Sequence, residues 1–579
     1  MKLNHLTASV AALLLLCACG PRNGEHVLTI LSTNDVHGRY FDSTYVDNRL
    51  SKSLLAVNRL VDSVRAAEGR DNVVLLDAGD CLQGDNAAYY FNFVDTVTEH
   101  IYSRMAAYMG YDAIAVGNHD IETGHAVYDR VTAELASHGI PFMAGNALRN
   151  DNGKPYFPYY KIVRRAGLKV AILGYENANI KAWLSEEICS GMHFESLIPI
   201  VQEQVDAVRA KEKPDVVIAI LHSGTGEGDG SMYESQALDV YQSIKGVDFI
   251  LCGHDHRPYI KQEGETGFLN AGSHCRFLAK GVLRVQVEGH KVVSRTAETS
   301  LIPVDAAKVD TAMRAHFHDD YLAVKAFTLK KVGELKCDLR TTDAYRGMSD
   351  YLNLLHTLHL SCAPADISIA APLTYRDTVK AGTLIYDDLF TIYPYENQLF
   401  VVRMTGEEFN KLLEFSYERW IQPVSSGHLL WIFPRVDARS GEHRWSFVER
   451  SYNFDSAGGV NYSVDITKPF GERIVIHSLV GGKAFDPQAE YNVAMTSYRA
   501  NGGGDLLGKG AGIDTDRIDE RIVARYPEIR EILYEYLKKH GTIDPAVIGN
   551  PDVIGSWKFV PERKAAHLLD QDMALLFGE

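Results

Sequence analysis

The chain has 579 residues, 46% of them hydrophobic and 23% charged, which is the balance of an ordinary globular protein with room for at least two domains. Its net charge of −16 argues against wrapping duplex DNA, because contacts to phosphates supply most of the non-specific affinity for DNA. A single nucleotide is not excluded as a ligand, since bound cations reverse the local field.

The amino terminus has the pattern of an export signal. Lys2 precedes an apolar run, Leu6–Leu16, that is too short to span a bilayer, and no later segment is long and apolar enough to do so. The run ends in Leu16-Cys17-Ala18-Cys19-Gly20, which resembles the lipobox of bacterial lipoproteins with Cys19 as the lipidated residue. The alternative is a plain secretory signal with two chance cysteines. We predict a lipoprotein signal peptide over residues 1–19, which places the protein in a bacterial cell envelope, periplasmic or surface-exposed, with the lipid as its only membrane anchor.

Residues 26–302 alternate short apolar strands with helical stretches. Because the strands carry Val, Ile and Leu at consecutive positions, they are typical of strands buried on both faces of a layered α/β fold. The predicted strands are Val27–Ser32, Val73–Leu76, Ala113–Val116, Val170–Leu173, Val216–Leu221 and Phe249–Leu251. Residues 303–332 are polar and helix-prone, and we predict a helical connector there, then an α+β domain over residues 333–560 and a tail over residues 561–579.

Five of these strands are followed by clusters of Asp, Asn, His and Gly. Ligands bind at the carboxyl ends of the strands in α/β folds, so we expect the five clusters to converge on one edge. The clusters are Asn34–Gly38, Asp77–Asp80, Gly117–Asp120, His222–Gly224 and Gly253–His256.

The residue types in these clusters indicate metal binding, since imidazole and carboxylate groups suit borderline divalent metals such as zinc and manganese. A D-x-H pair on an extended segment places Asp35 and His37 on one side, and the same spacing places His254 and His256 on one side. A carboxylate such as Asp80 can bridge two ions about 3.5–4 Å apart, the spacing used for in-line phosphoryl displacement. One histidine alone would be an ordinary polar group, but the ordered set favours two divalent metal ions.

In chain order, the set D-x-H, G-D, G-N-H-D, H-x-G and G-H-x-H resembles the calcineurin-like metallophosphoesterases. The resemblance implies a four-layer β-sandwich flanked by helices, and it implies that His119 contacts the phosphate and stabilises the transition state or protonates the leaving oxygen. It assigns Asp35, His37 and His256 to one metal site, Asn118, His222 and His254 to the other, and the bridging position to Asp80. Outside these clusters, we expect ordinary histidines at His193, His274, His316 and His318.

The carboxylate behind His119 departs from the pattern of the family's nucleotidase branch. That branch continues G-N-H-E-F-D, and its last Asp orients the catalytic histidine. Here Glu122 occupies that position, so the carboxylate is retained on a side chain one methylene longer. We expect Glu122 to pair with His119.

The second half resembles the carboxy-terminal nucleotide-binding domain of the 5′-nucleotidase family. The matching stretches are Leu389–Asn397 and Tyr498–Asp505. Details within residues 79–84, 395–399 and 452–460 resemble the bacterial 2′,3′-cyclic-nucleotide 2′-phosphodiesterase/3′-nucleotidases, in which two tyrosines clasp the base. Tyr452 and Tyr498 occupy the matching positions, where stacking would contribute about 1–3 kcal/mol per base. The alternative is that both rings only pack in a β-rich core.

Three more residues are candidates for binding substrate. Asn397 closes the first matching stretch. Asp505 follows a glycine-rich turn and could bind a ribose hydroxyl, although it lies one position beyond the Asp of the 5′-nucleotidase pattern. Arg376 could substitute for the arginine that ends a glycine-rich stretch in the 5′-nucleotidase branch, but the glycines are missing here.

These patterns predict a dimetal hydrolase of nucleotide phosphate esters, namely a 2′,3′-cyclic-nucleotide 2′-phosphodiesterase with 3′-nucleotidase activity. The alternatives are a 5′-nucleotidase or UDP-sugar hydrolase and, from another class, a non-catalytic surface binding protein. The expected partner is a small-molecule nucleotide and not a nucleic-acid duplex. The sequence determines neither the metals nor the oligomeric state.

Overall fold

A computed structural model describes residues 20–184, 186–263, 266–436 and 443–578. Their contacts divide them into two compact units. The first comprises the described residues up to Lys181 and from Glu186 to Lys325, and the second comprises those from Ala326 onward with a short segment that begins at Ala182. Cys19 and the predicted signal peptide lie outside the described residues. None of the helices within these ranges is long and apolar enough to cross a membrane.

The first unit is built on two six-stranded mixed sheets. In order across the first sheet, the strands are Lys291–Pro303, Phe277–Glu288, Gly24–Thr33, Val73–Asp77, Ala113–Ala115 and Phe142–Met143. In order across the second sheet, they are Pro258–Glu263, Thr266–Ala271, Phe249–Cys252, Val216–Leu221, Leu168–Tyr175 and Tyr160–Arg165. Two short strands, Ala147–Arg149 and Met192–Phe194, pair separately.

Helices connect these strands. The α-helices are Leu54–Glu68, Asn86–Tyr89, Ile101–Met109, Asn118–Glu122, His125–Ser137, Leu197–Glu212, Ala237–Ser243, Thr311–His316 and His318–Thr328. The last two occupy the predicted connector, residues 303–332.

Consecutive apolar residues of the second sheet divide between two cores. Ile218 and Ile220 belong to the core shared with the first sheet, whereas Val217 and Ala219 belong to the core shared with helix Leu197–Glu212. Truncating a buried isoleucine such as Ile218 to alanine costs about 2–5 kcal/mol, so the core between the two sheets contributes strongly to stability. The layering confirms the predicted α/β sandwich flanked by helices.

The parallel strands of each sheet end in register. Thr33 pairs with Asp77 in the first sheet, and Leu221 pairs with both Cys252 and Tyr175 in the second. The polar segments that follow these strands therefore leave each sheet at the same level.

The second unit has a five-stranded sheet with smaller sheets around it. In order, the strands of the larger sheet are Ser456–Gly458, Ile367–Ala370, Glu490–Thr496, Gln398–Thr405 and Ile522–Glu528. The smaller sheets contain Lys331–Leu335, Gly382–Ile385 and Thr542–Ile543; Val460–Asp465, Ile474–Leu479 and Gly555–Val560; Leu339–Arg340 and Thr378–Val379; and Ile432–Val436 and His443–Phe447. The α-helices are Asp350–Cys362, Tyr386–Ile392, Gly406–Trp420, Ser497–Ala500, Ile529–His540, Pro545–Ile548, Pro551–Ile554 and Glu562–Phe577.

The last helix, Glu562–Phe577, belongs to the core of the second unit. Its apolar residues recur at helical spacing, and Leu568 and Met573 are buried in that core. On the same face, the buried carboxylate of Asp572 accepts two main-chain N–H groups at 2.7 and 2.8 Å. The segment predicted as a tail, residues 561–579, therefore contains a core helix, because its apolar stripe is buried.

Candidate functional site

Polar residues after the strands of both sheets meet at one edge of the first unit. Nε2 of His37 lies 2.9 Å from Nε2 of His256, and Nε2 of His256 lies 3.5 Å from Oδ1 of Asp35. One donor atom from each of these three residues lies within 4.8 Å of the others, so the three can bind one metal ion together. They are the three residues predicted for the first metal site.

A second group of donors lies beside the first. Oδ1 of Asn118 is 3.0 Å from Nε2 of His222 and 2.8 Å from Nδ1 of His254. Oδ2 of Asp80 is 3.2 Å from Nε2 of His222 and 3.9 Å from Nε2 of His37, which places this carboxylate between the two groups. Together with Asp80 and His222, Asp35 also forms a set that can hold an ion.

Main-chain carbonyls set the tautomers of two of these histidines. Nδ1 of His37 donates to the carbonyl of Gln83 at 3.1 Å, and Nδ1 of His222 donates to the carbonyl of Ala78 at 2.7 Å. Each hydrogen bond leaves the lone pair of Nε2 directed at the site, which is the arrangement that metal-binding histidines adopt.

The protonation states of the histidines are also compatible with binding of metal cations. Burial lowers the pKa of His37 to about 4 and that of His254 to about 3, so both rings are neutral at physiological pH and can bind metals. Although burial alone would lower the pKa of His222, the negative charge of Asp80 raises it well above its usual value. A field that attracts a proton this strongly also attracts a divalent metal ion.

Five of the seven candidate ligands have left-handed backbone conformations, which cost non-glycine residues of order 1–3 kcal/mol each. Their φ angles are 49° for Asp35, 48° for His37, 60° for Asp80, 76° for His254 and 58° for His256. The predicted extended segment at the D-x-H pair is therefore wrong: sharp turns bring Asp35 and His37 together. The left-handed residues His254 and His256 turn another loop in the same way, and they place His256 in the first group and His254 in the second.

Two glycines allow the loops to approach the ligands. A Cβ atom on Gly117 would lie 2.2 Å from Oδ1 of Asp80, and one on Gly253 would lie 2.7 Å from Oδ2 of Asp35. Both positions therefore exclude any side chain.

His119 and Glu122 form a hydrogen-bonded pair beside the donor groups. Nδ1 of His119 lies 2.6 Å from Oε2 of Glu122, and the main-chain N–H of His119 donates to Oδ1 of Asp80 at 2.9 Å. The side chain of His119 is 30% exposed, whereas those of Asp80 and His37 are 1% and 6% exposed. The half-exposed ring is thus accessible to a substrate at the edge.

Asp120, for which the sequence predicted no role, holds two of the loops together. Its buried carboxylate accepts four main-chain N–H groups at 2.8–2.9 Å, from Asp80, Cys81, Leu82 and Gly117. Its position directly after Asn118 and His119 was the available signal, since an acidic residue at the start of a helix commonly accepts main-chain N–H groups.

His274 was expected to be an ordinary histidine, but its ring lies against the first donor group. The ring centroid is 5.2 Å from that of His37 and 5.6 Å from that of His256, and its main-chain N–H donates to the carbonyl of Asp35. The signal available in the sequence was its position just after another strand, Thr266–Ala271, of the second sheet.

In the second unit, the predicted base-binding tyrosines lie next to each other. The ring centroids of Tyr452 and Tyr498 are 6.3 Å apart at an angle of 86°, an edge-to-face contact, and both residues are partly exposed. Behind them, the buried guanidinium of Arg499 donates to Asp455 at 2.6 Å and to the carbonyl of Tyr452 at 2.9 Å. This ion pair, which the sequence did not predict, joins the two tyrosine-bearing segments.

The other predicted substrate residues have protein partners. Asp505 has a left-handed backbone, and its carboxylate lies 3.0 Å from Lys509 and 3.7 Å from Arg419. Asn397 donates to the hydroxyl of Tyr393 at 3.3 Å.

Arg376 lies at a cavity that contains neither tyrosine of the pair. The cavity has a volume of about 260 Å³ and is lined by Arg340, Thr342, Arg376, Thr378, Lys380 and Phe577. Asp338 pairs with Arg340 at 3.2 Å and with Lys380 at 2.8 Å, so the cavity keeps a positive charge.

Two protein families match the two halves of the chain. Residues 28–258 match the calcineurin-like phosphoesterase family, and residues 331–508 match the 5′-nucleotidase C-terminal domain. Both matches agree with the resemblances seen in the motifs.

Curated relatives match over most of this chain at low identity. The trifunctional nucleotide phosphoesterase protein YfkN of Bacillus subtilis is 24% identical over 92% of this chain, which spans only 39% of that protein's length. The 2′,3′-cyclic-nucleotide 2′-phosphodiesterase/3′-nucleotidase of Haemophilus influenzae is 24% identical over 92% of this chain and 87% of its own.

A solved structure shares the fold of both halves. A Staphylococcus aureus protein described as a 5′-nucleotidase, crystallised with alpha-ketoglutarate, superposes with a TM-score of 0.73 at 19% identity, covering 92% of this chain and 99% of that one. With the family matches, this fold agrees with the predicted two-domain organisation. The chain is a phosphoester hydrolase that combines a calcineurin-like phosphoesterase domain with a 5′-nucleotidase C-terminal domain.

Proposed function

We propose that this hydrolase acts on nucleotides, as a 2′,3′-cyclic-nucleotide 2′-phosphodiesterase with 3′-nucleotidase activity. The observation that carries the proposal is the presence of two metal-binding donor groups next to the hydrogen-bonded pair of His119 and Glu122. The name of the Haemophilus influenzae relative supports the cyclic-nucleotide assignment. A 5′-nucleotidase or UDP-sugar hydrolase is the second candidate, supported by the family match of residues 331–508.

The donor set fits two divalent cations, zinc, manganese or a similar metal, because imidazoles, carboxylates and one amide oxygen converge. Nδ1 of His37 and of His222 is already hydrogen-bonded to a main-chain carbonyl, which leaves Nε2 of each ring for a metal. We assign Asp35, His37 and His256 to one ion, Asn118, His222 and His254 to the other, and Asp80 to both. When bound, the cations would supply positive charge for the phosphoryl oxygens and an activated water.

His119 and Glu122 would act on the leaving oxygen. A carboxylate 2.6 Å from Nδ1 stabilises the charged form of the ring, which can then donate a proton from Nε2. For a 2′,3′-cyclic nucleotide, a water oxygen would bond to phosphorus in line as the bond to the 2′-oxygen breaks. The 2′-oxygen takes the proton from His119, and the attacking water releases one proton to solvent, from which His119 is protonated again. The product is a 3′-nucleotide, and a second hydrolysis releases phosphate and a nucleoside.

Tyr452 and Tyr498 would hold the base. Their edge-to-face contact lets a base stack on one ring, and a base can enter between them once one ring turns. We further assign Asn397, Asp505 and Arg376 to the substrate, with Arg376 at a positively charged cavity suited to an anionic group.

A substrate panel tests the assignment. We expect turnover of 2′,3′-cyclic AMP and 3′-AMP to exceed that of 5′-AMP and UDP-glucose in kcat/KM. Preference for 5′-AMP or UDP-glucose would favour the second candidate. A protein that hydrolyses none of the four at a rate above a folded His119→Ala variant would be a phosphoesterase with another substrate class.

We also propose that the protein is a lipid-anchored envelope protein, facing the periplasm or the cell surface. The sequence pattern around Cys19 is the support. Labelling of bacterial cells with a radioactive fatty acid should mark the wild-type protein and leave the Cys19→Ala variant unmarked; equal labelling would contradict the lipobox assignment.

A further inference from the structure

We infer that Gln83 is a positioning residue for the reaction, acting through Glu122 on His119. This inference rests on the proposed role of His119. The side-chain amide of Gln83 donates from Nε2 to Oε2 of Glu122 at 3.1 Å, and Nδ1 of His119 lies 2.6 Å from the same oxygen. One carboxylate oxygen therefore joins Gln83 to the ring that would act on the substrate.

The hydrogen bond from Gln83 restricts Glu122, whose side chain is longer than that of aspartate. The extra methylene adds a rotatable bond, and each immobilised torsion costs conformational entropy. The side chain of Glu122 is 11% exposed, so protein atoms surround most of it. The hydrogen bond from the amide of Gln83 favours the rotamer of Glu122 that faces His119. The donor at this position thus holds the carboxylate toward His119.

The main chain that carries Gln83 is held on both sides. Asp120 accepts the N–H groups of Cys81 and Leu82. The hydroxyl of Tyr40 donates to the carbonyl of Cys81 at 2.7 Å, and Asn92 donates to that of Leu82 at 2.6 Å. A side chain that starts from so fixed a main chain places its amide accurately.

Gln83 also contacts the metal-binding group, but only through its main chain. Its carbonyl accepts Nδ1 of His37 at 3.1 Å, and any residue at position 83 keeps that carbonyl. Gln83 is itself 5% exposed, so water competes little for the hydrogen bond between its amide and Glu122. Replacing the side chain therefore separates the effect on Glu122 from the effect on the metal ligand.

The test uses phenyl phosphate, a small ester with a poor leaving group, so it does not depend on which nucleotide is the substrate. Gln83→Met keeps the length and removes the donor. We expect kcat to fall about 10-fold, the effect of losing a hydrogen bond to a charged group, with KM and bound metal unchanged. Gln83→Asn keeps a polar amide but moves it one methylene away from Glu122, so its kcat should also fall. Because this variant stays polar, it gives a second reading if Gln83→Met misfolds.

A double-mutant cycle with Glu122→Ala decides whether Gln83 acts through Glu122. We expect Gln83→Met to cause no further loss of kcat in the Glu122→Ala protein. Gln202→Met is the control. It removes an exposed amide that bonds Asp206 and the main chain of Lys245, away from the donor groups, and its kcat should match wild type. Wild-type kcat in Gln83→Met, multiplicative losses in the double variant, or loss of bound metal would each overturn the inference. A wild-type protein that turns over phenyl phosphate but no nucleotide would overturn only the proposed substrate.

Discussion

The metal-binding edge of the first unit and the tyrosine region of the second differ in how their functional side chains are held. At the edge, five of the seven candidate ligands are buried, and hydrogen bonds to main-chain carbonyls orient two of them, His37 and His222. In the second unit, Tyr452 and Tyr498 are partly exposed rings in edge-to-face contact, with the Arg499–Asp455 ion pair behind them.

The difference matches what the two regions would do. Phosphoryl transfer requires charges placed before the substrate arrives, so rigid loops and strained backbone conformations are useful there. A base can stack on any accessible ring, so substrate binding tolerates a looser arrangement. Variants at the edge should therefore remove chemistry, and variants in the tyrosine region should weaken binding.

The largest effect is expected for Asp80→Ala, which removes the carboxylate between the two donor groups. We expect kcat for p-nitrophenyl phosphate to fall more than about 10³-fold, because this carboxylate also accepts the N–H of His119. Circular dichroism should show an intact fold. Asp229→Ala, at an exposed loop carboxylate, should keep wild-type activity; wild-type activity in Asp80→Ala would contradict the site.

A smaller but broad effect is expected for Asp120→Asn. The amide keeps the shape but has one acceptor oxygen for four N–H groups, and each buried N–H left without a partner costs about 1–3 kcal/mol. We expect a lower melting temperature together with lower kcat and weaker metal binding, measured by calorimetry and by metal analysis. An unchanged melting temperature would mean that the carboxylate does not hold these loops.

Tyr452→Ala and Tyr498→Ala should act on binding alone. Losing one stacking ring should raise KM for the nucleotide substrate by about 5- to 100-fold, while kcat for p-nitrophenyl phosphate, which has no base, stays the same. Tyr452→Phe keeps the ring and serves as the control. Equal effects on both substrates would place the tyrosines in a structural role instead.

The smallest effect concerns the stability of the second unit at acidic pH. His356 and His359 are buried against the hydroxyl of Ser368, and burial lowers the pKa of His356 to about 3 and that of His359 to about 4. Below a pH of about 6.5 these histidines are protonated in the unfolded chain but stay neutral in the folded chain. The free energy of unfolding therefore falls as pH falls toward 4, by up to about 1.4 kcal/mol per pH unit for each histidine.

Urea unfolding followed by tryptophan fluorescence between pH 7 and pH 4 measures this slope. His356→Gln, which cannot titrate, should flatten it, whereas His540→Gln, on an exposed position, should not. An identical slope in wild type and His356→Gln would show that His356 titrates alike in both states.

Much of the first unit was predictable from the sequence because consecutive apolar residues and the polar clusters after them are local patterns. The predicted strand Val216–Leu221 agrees with the structure at both ends. The geometry that unites Asp35 and His37 was not predictable, since left-handed backbone at a non-glycine residue leaves no mark in composition. The carboxylate of Asp120 bonds N–H groups up to 40 residues away, and spacing alone does not reveal such contacts.

In the second unit the sequence located the tyrosines but not their surroundings. The buried pair of Arg499 and Asp455 joins residues 44 positions apart, and the cavity at Arg376 forms from strands and a helix that are distant in the chain. The predicted tail over residues 561–579 contains a core helix, and the helical spacing of Leu568, Leu569 and Met573 was its signal in the sequence. Its core position depends on tertiary contacts that the chain forms only when folded.

The most direct test is a metal titration of the chelated protein. After removal of metal with a chelator, activity toward p-nitrophenyl phosphate should be lost and should return in full when two divalent ions per chain are bound, counted by metal analysis of the reconstituted protein. Full activity in the metal-free protein, or full recovery with a single bound ion, would contradict the two-metal edge.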